Sequence, residues 1–155
     1  MYITELITNE RKSVQIKLIE DIDFKQITTK RYTFNWRKLK TECIIYKLNL
    51  IDSEDILGLI ALVDYPEEER TEIKLLSVSV ENKGHKKQYD RITGCLIAFA
   101  GKEAIRKFKR YPALSLIPKT ELRPHYISKY KMADAGWQLY LEDIALLNII
   151  EEYLS

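Results

Sequence analysis

Glycine, proline, cysteine and histidine are all scarce in this chain of 155 residues, which contains five, four, two and two of them. With so few chain breakers and no low-complexity tract, there is no linker at which to divide the chain. The length also falls within the usual span of one compact domain. We therefore predict a single domain covering residues 1–155.

The two cysteines and two histidines lack the spacing of a metal site or a redox motif. Cys43 and Cys95 stand far apart, in segments typical of a strand and a helix, and we interpret both as buried thiols. His85 and His125 have no acidic partner at ligand spacing, so we predict no metal site. The glycine-flanked serine of a hydrolase nucleophile elbow is also missing.

Long apolar runs are missing too. The longest, residues 56–63 and 94–100, have eight and seven residues, whereas a helix needs roughly 20 to span a bilayer. The first eleven residues lack the basic region and apolar block of a secretory signal. We therefore expect a cytoplasmic protein with no membrane partner. Apolar residues make up 46% of the chain, enough to build a core.

The middle of the chain has the pattern of three strands. Residues 43–51, 56–64 and 71–80 are rich in apolar and β-branched side chains, and turn-prone or acidic segments separate them. Consecutive strands with short connections predict an antiparallel meander. Residues 13–20 suit a strand and a helix nearly equally.

A long amphipathic helix is predicted to begin at Ile92. Ile92, Leu96 and Phe99 share one face, cations cluster at the far end, and Pro112 prevents continuation. Residues 113–117 then form a strand. The strand at 71–80, the helix and this strand therefore make a βαβ unit whose two strands are parallel.

The last third of the chain is predicted to contain a helix over residues 121–130, a strand over 136–141 and a helix over 143–154. Pro124 fits the first turn of the first of these helices, where its missing N–H does no harm. The stripe expected to dock the final helix consists of Ile144, Leu147, Ile150 and Leu154.

A basic loop precedes the long helix. Within residues 82–93, four cations oppose one acid, Asp90. Exposed N–H groups at a helix start attract anions, and neighbouring cations strengthen that attraction. The composition is equally compatible with a phosphate site at the helix start and with a plain solvated loop.

At this point the chain resembles the GNAT superfamily of acetyl-CoA-dependent N-acyltransferases, as a divergent bacterial member. Residues 88–93 (QYDRIT) are similar to the family's pyrophosphate loop, Q/R-x-x-G-x-G/A. Gln88 matches, whereas Arg91 and Thr93 stand where small residues are usual and place a Cβ near the phosphates. Gly58 and the segments 113–119 and 126–132 also resemble family features, so the resemblance covers about residues 43–141.

The resemblance implies an α+β fold, in which helices flank a mixed, mainly antiparallel central sheet with one βαβ unit. It implies acetyl-CoA as the cofactor and direct transfer of the acetyl group, in a ternary complex, to a small-molecule or peptide amine. The strand before the loop would pair with the pantetheine amides. The cofactor-binding residues that it implies are Leu76, Ser77, Val78, Lys83, Lys87, Gln88, Tyr89, Asp90, Arg91, Ile92, Thr93 and Lys129.

The resemblance also implies catalytic residues. Glu72, on the strand before the loop, is the candidate base that removes the amine proton, and a surface glutamate is the alternative. The proton for the leaving thiolate would come from a tyrosine near the segment 126–132. Tyr126 is one residue out of register and Tyr130 lies four further on, and either could instead be a half-buried packing residue.

Two other functions remain open. A catalytically degenerate GNAT fold could bind coenzyme A or a partner, because Arg91 replaces a glycine and the tyrosine is displaced. Residues 30–40 (KRYTFNWRKLK) interleave aromatics with cations as nucleic-acid stacking platforms do, although core packing or an acceptor pocket also explains them. We expect no nucleic-acid partner, and a homodimer is the prior expectation for a soluble protein.

Overall fold

Nine strands form one sheet in the computed structural model, which describes residues 1–155. The strands are β1 (Tyr2–Glu5), β2 (Arg11–Leu18), β3 (Ile44–Leu50), β4 (Ile56–Tyr65), β5 (Arg70–Val78), β6 (Tyr89–Asp90), β7 (Ala113–Leu116), β8 (Ala133–Ala135) and β9 (Gln138–Glu142). The helices are α1 (Thr29–Tyr32), α2 (Trp36–Leu39), α3 (Ile92–Lys107), α4 (Arg123–Tyr130) and α5 (Asp143–Leu154). None of these helices combines the length and the apolar character needed to cross a membrane.

The strands lie in the order β6-β1-β2-β3-β4-β5-β7-β9-β8. Every neighbouring pair is antiparallel except β5 and β7, which are parallel and joined through α3. The predicted meander is β3-β4-β5, and the predicted βαβ unit is β5-α3-β7. The mainly antiparallel α+β fold with one βαβ unit is therefore confirmed.

Several boundaries differ from the prediction. Residues 13–20 contribute to a strand, β2, rather than a helix. β5 ends at Val78 because Val80–Asn82 turn in a 3₁₀ helix. The strand predicted from residue 136 begins at Gln138, since Gly136 has a φ of 87° and forms the turn after β8, a strand that the pattern did not predict. β6 is a second unpredicted strand, and it pairs the end of the basic loop with β1.

The docking face of the final helix agrees with the predicted stripe only in part: Ile150 and Leu154 pack against the core, but the other two residues do not. Ile144 and Leu147 are 72% and 57% exposed, whereas Leu146, Ile149 and Tyr153 are buried. The reason lies in α3, where Gly94 leaves a notch for the Tyr153 ring: a Cβ on Gly94 would lie 2.1 Å from Cε1 of that ring. This notch, together with the start of α5 directly after β9, fixes the rotation of α5 about its own axis and so determines which of its residues face the core.

The two faces of the sheet are covered by separate apolar clusters. On one face, α3 and α5 pack over a cluster of 23 buried residues, and a Cβ on Gly58 of β4 would contact Ile92 and Leu96. On the other face, Tyr32 and Trp36 belong to a cluster of seven buried residues. These two aromatics of the segment 30–40 are therefore core residues, and their rings are not available for stacking on bases.

The smaller cluster is accompanied by a buried ion pair. Lys47 Nζ on β3 lies 2.7 and 2.8 Å from the two carboxylate oxygens of Asp23, and both side chains are almost fully buried. Asp23 also accepts a hydrogen bond from the backbone N–H of Glu20, at 2.7 Å. The segment between β2 and α1 is thus anchored to the sheet by charge.

The two cysteines differ in burial. Cys95 in α3 is fully buried, as predicted, whereas Cys43, just before β3, is only half-buried. The prediction of two buried thiols is therefore wrong for Cys43, because β3 begins one residue later and leaves it at the edge of the smaller cluster.

Candidate functional site

A gap opens between β5 and β7 part of the way along the sheet. Their pairing ends at Ile73 opposite Leu116, although β5 continues to Val78. The separation begins at a β-bulge, in which Lys74 is the extra residue between Ile73 and Leu75, because those two pair with consecutive residues of β4. A bulge bends and twists its strand and ends regular pairing. The β5 edge from residue 74 to 78 therefore faces an open groove.

The groove has a volume of about 530 Å³ and a strongly basic lining. Its walls come from β5, the loop before α3, the β7–α4 connection, α4 and the turn between α1 and α2. Four lysines contribute to the lining, and none of its twenty residues is Asp or Glu. The lysines are Lys74, Lys83, Lys87 and Lys119. Such a field favours a ligand that carries several negative charges.

The start of α3 opens onto this groove through Thr93. No side chain caps the first turn of α3, so its first N–H groups lack the usual side-chain acceptor. Lys83 Nζ donates to Oγ1 of Thr33 at 3.1 Å, and Lys87 lies 2.9 Å from Asp90. Burial opposes ionisation of Asp90, but the hydrogen bond from Lys87 lowers the pKa of its carboxyl.

Arg91 adopts the backbone conformation that a glycine would adopt at the same position. Its φ is 82°, in the left-handed region that costs a residue with a Cβ about 1–2 kcal/mol. The side chain turns away from the groove and donates to the backbone oxygens of Tyr2 and Glu152, at 3.3 and 3.0 Å. Its guanidinium also lies over the rings of Tyr2 and Tyr153, at 4.1 and 4.7 Å. The start of α3 is thus left open by this arginine.

The two candidate tyrosines lie in different environments. Tyr126 in α4 is half-buried and lines the groove, and burial raises the pKa of its phenol above the usual value. Tyr130, one turn later, is only 4% exposed, packs 6.3 Å from the ring of Tyr153 and does not line the groove. Of the two tyrosines, only Tyr126 therefore lines the groove.

Glu72 lies beside the groove without lining it. Its side chain is 7% exposed, so the alternative of a surface glutamate is wrong. One carboxylate oxygen lies 3.6 Å from Arg70 and the other 3.4 Å from Lys74, the bulged residue that does line the groove. The Glu72 carboxylate is therefore close to the groove but is not part of its surface.

The groove brings together part of the set predicted from the sequence. The predicted residues that line it are Leu76, Ser77, Val78, Lys83, Lys87, Thr93 and Tyr126. The predicted residues that do not line it are Glu72, Gln88, Tyr89, Asp90, Arg91, Ile92, Lys129 and Tyr130. Two causes account for much of the second group: Tyr89 and Asp90 pair with β1, and Ile92 is buried against Gly58.

Other lining residues were not predicted from the sequence. Phe34 lies in the turn between α1 and α2, and Lys119 on the opposite wall places its Nζ 5.7 Å from the Phe34 ring centroid. An ion pair between Arg31 and Glu81, at 2.6 Å, ties that turn to the loop after β5. His125 also lines the groove, and its place next to Tyr126 was the only sequence signal for it.

No group of three or more His, Cys, Asp and Glu side chains is placed so that it could hold a metal ion.

Comparison of the sequence with known proteins gives no match to a protein-family model and none to a curated protein. Comparison of the structure with solved structures does give matches. One is mutant forms of the spermidine/spermine N-acetyltransferase SpeG from Vibrio cholerae, with 13% identity and a TM-score of 0.64. That match covers 88% of this chain and 98% of the other.

Two further structures are similar. A GNAT family acetyltransferase from Elizabethkingia anophelis with acetyl-CoA bound matches at 14% identity and a TM-score of 0.60, over 84% of this chain and 98% of that one. The ribosomal-protein-S18-alanine N-acetyltransferase from Escherichia coli matches at 7% identity and a TM-score of 0.61, over 84% and 94%. At these identities the likeness concerns the fold.

Proposed function

We propose that this chain, which has the fold of the GNAT acetyltransferases, is an enzyme that transfers an acetyl group from acetyl-CoA to an amine. One observation carries the proposal: a basic groove between separated strands leads to the uncapped start of α3. The likeness in fold to acetyltransferases, one with acetyl-CoA bound, supports it.

The residues present fit acetyl-CoA along the whole groove. The N–H groups at the start of α3, with Lys83 and Lys87 beside them, would hold the diphosphate, because a helix start and nearby cations both favour negative charge. The free edge of β5 at residues 76–78 would pair with the amides of the pantetheine arm. Bound there, acetyl-CoA supplies an activated acyl thioester.

The reaction removes two protons from the acceptor nitrogen, as an ammonium becomes an amide, and supplies one to the leaving sulfur. An alkylammonium has a pKa of about 10.4, so the acceptor must lose a proton before its nitrogen can attack the thioester carbonyl. Glu72 would accept this proton through a water molecule, because its carboxylate is close to the groove but does not line it. The N–C bond would form as the C–S bond breaks, and the sulfur would take a proton from the phenol of Tyr126. The nitrogen loses its second proton as it becomes an amide, and this proton would return through solvent to the Tyr126 phenolate, so that one proton is released overall.

The raised pKa of Tyr126 has a definite consequence for the pH profile. A phenol donates a proton only in its neutral form, which is present below its pKa and lost above it. Burial raises that pKa, so the acid form persists at neutral and mildly alkaline pH. We expect kcat to show no loss from this group up to about pH 10, the ordinary value for tyrosine.

The proposal is tested by the amine-dependent release of free thiol from acetyl-CoA, measured with a broad panel of primary amines. Substitution Tyr126→Phe should lower kcat by about 10²-fold, the lower end of the effect of a positioned acid. Tyr130→Phe removes a hydroxyl that does not line the groove, and it serves as the matched control with kcat within a few-fold of the original.

Two results would count against the assignment. Equal kcat for the Tyr126→Phe variant and the original would remove Tyr126 as the acid. Binding of acetyl-CoA without turnover of any amine would favour the degenerate, binding-only alternative.

A further inference from the structure

We propose that the amine accepted at this site carries an anionic group, so that it resembles an amino acid rather than a polyamine. The inference rests on the proposed function, because it concerns the acceptor end of the same groove. Its basis is the placement of two lysines that the cosubstrate's diphosphate does not reach.

The four lysines of the groove lie at two separate places. Lys83 and Lys87 belong to the loop before α3 and stand beside the helix start that would hold the diphosphate. Lys74 lies at the bulge where β5 and β7 separate, four residues from Val78. Along an extended strand this separation is about 13 Å, at about 3.3 Å per residue. A diphosphate at the helix start thus leaves Lys74 near the acyl end.

Lys119 supplies positive charge on the opposite wall. It follows β7 by three residues, is exposed, and contacts the Phe34 ring across the groove. The lining contains no carboxylate that could neutralise it. An anionic group on the acceptor would therefore be attracted to Lys119, and the protein would not have to break an ion pair of its own to bind it.

Glu72, the carboxylate beside the bulge, is already paired with cations of the protein. Glu72 lies between Arg70 and Lys74, at 3.6 and 3.4 Å, and its side chain is 7% exposed. A second ammonium group on an acceptor would find no free carboxylate and would meet Lys119, whose charge no carboxylate neutralises. The Vibrio cholerae structure is named for spermidine and spermine, which are polycations at neutral pH, and the groove of this chain favours the opposite charge.

The test uses bisubstrate conjugates, in which the sulfur of coenzyme A is joined through an acetyl bridge to an amine. Four conjugates have amine parts of similar length that differ in their distal group: β-alanine, 3-aminopropyl phosphate, propylamine and 1,3-diaminopropane. Affinities are measured by calorimetry with the full chain. We expect the better of the two anionic conjugates to bind at least about tenfold more tightly than the diaminopropane conjugate, with propylamine between them.

The β-alanine and aminopropyl phosphate arms distinguish a carboxylate from a phosphate as the preferred anion. Equal affinity across the series, or tightest binding of the diaminopropane conjugate, overturns the inference while leaving the proposed function intact. Failure of coenzyme A itself and of all four conjugates to bind overturns the proposed function as well.

Two charge-reversal variants test whether the preference for anionic conjugates arises at Lys119. In the Lys119→Glu variant, the ratio of affinities between the anionic conjugates and the diaminopropane conjugate should fall by about tenfold; this ratio cancels any effect on the coenzyme A part, which all the conjugates share. Lys109→Glu changes the net charge equally at an exposed position outside the groove, and it should keep the preference. The same preference in both variants and the original would contradict the role of Lys119.

Discussion

The two faces of the sheet are built differently. Under α3 and α5, 23 buried residues form a continuous apolar cluster, and Gly94 brings α3 against the ring of Tyr153. On the opposite face, seven buried residues lie under two helices of one turn each, with a buried ion pair beside them. Glu72 belongs to this second face, because its neighbour Ile73 points into the larger cluster. One face is thus an apolar scaffold, and the other combines packing with charge near the groove.

The largest effect is expected from breaking the ion pair of the second face. Substitution Lys47→Met leaves the Asp23 carboxylate buried without its partner, which typically costs about 3–5 kcal/mol of unfolding free energy. The double variant Asp23→Leu/Lys47→Met removes both charges and should recover most of this loss. Urea denaturation followed by circular dichroism measures both variants. If the single variant unfolds at the original urea concentration, the second face does not depend on this pair.

The first face should be sensitive to size rather than to charge. Substitution Gly94→Val places side-chain atoms where the Tyr153 ring now lies, and we expect a loss of about 3 kcal/mol, the upper part of the usual range for an overpacked core. Lys102→Val introduces the same side chain at an exposed position of α3 and should cost less than about 1 kcal/mol. Thermal unfolding compares the two, and equal losses would mean that the notch does not hold α5.

A smaller effect is expected where the scaffold meets the groove, at Arg91. Both Arg91→Gly and Arg91→Ala lose the contacts with Tyr2 and Tyr153, but only glycine adopts a φ of 82° without strain. The glycine variant should therefore be more stable than the alanine variant by about 1 kcal/mol. Urea denaturation of the two variants measures this difference. Equal stabilities would show that the backbone at this position relaxes when the arginine is removed.

The scaffold face and the βαβ unit were largely predictable from the sequence. Residues 56–64 form a continuous apolar run, typical of a buried strand, and the helix from Ile92 follows a pattern of period 3.6. Both signals depend only on neighbouring residues. The docking face of α5 was not predictable in the same way, because several apolar stripes are available in that segment. The choice depends on Gly94, some 50–60 residues earlier in the chain.

The groove could be predicted only in part. The cluster of cations in the loop before α3 indicated a candidate anion site, and Lys83, Lys87 and Thr93 do line the groove. Phe34 and Lys119 reach it through long-range contacts that a local pattern does not contain. The bulge at Lys74 depends on the register between β4 and β5, which cannot be seen in either strand alone.

We propose that the start of α3 and the lysines beside it hold a diphosphate, and calorimetric titration of the full chain with coenzyme A is the simplest test. We expect saturable 1:1 binding that weakens as the salt concentration rises, because screening reduces the attraction between charges. The double variant Lys83→Glu/Lys87→Glu should bind at least about tenfold more weakly, whereas the double variant Lys102→Glu/Lys109→Glu, which carries the same charge change outside the groove, should bind as the original does. No binding of coenzyme A at millimolar concentration, or equal weakening in both double variants, would contradict it.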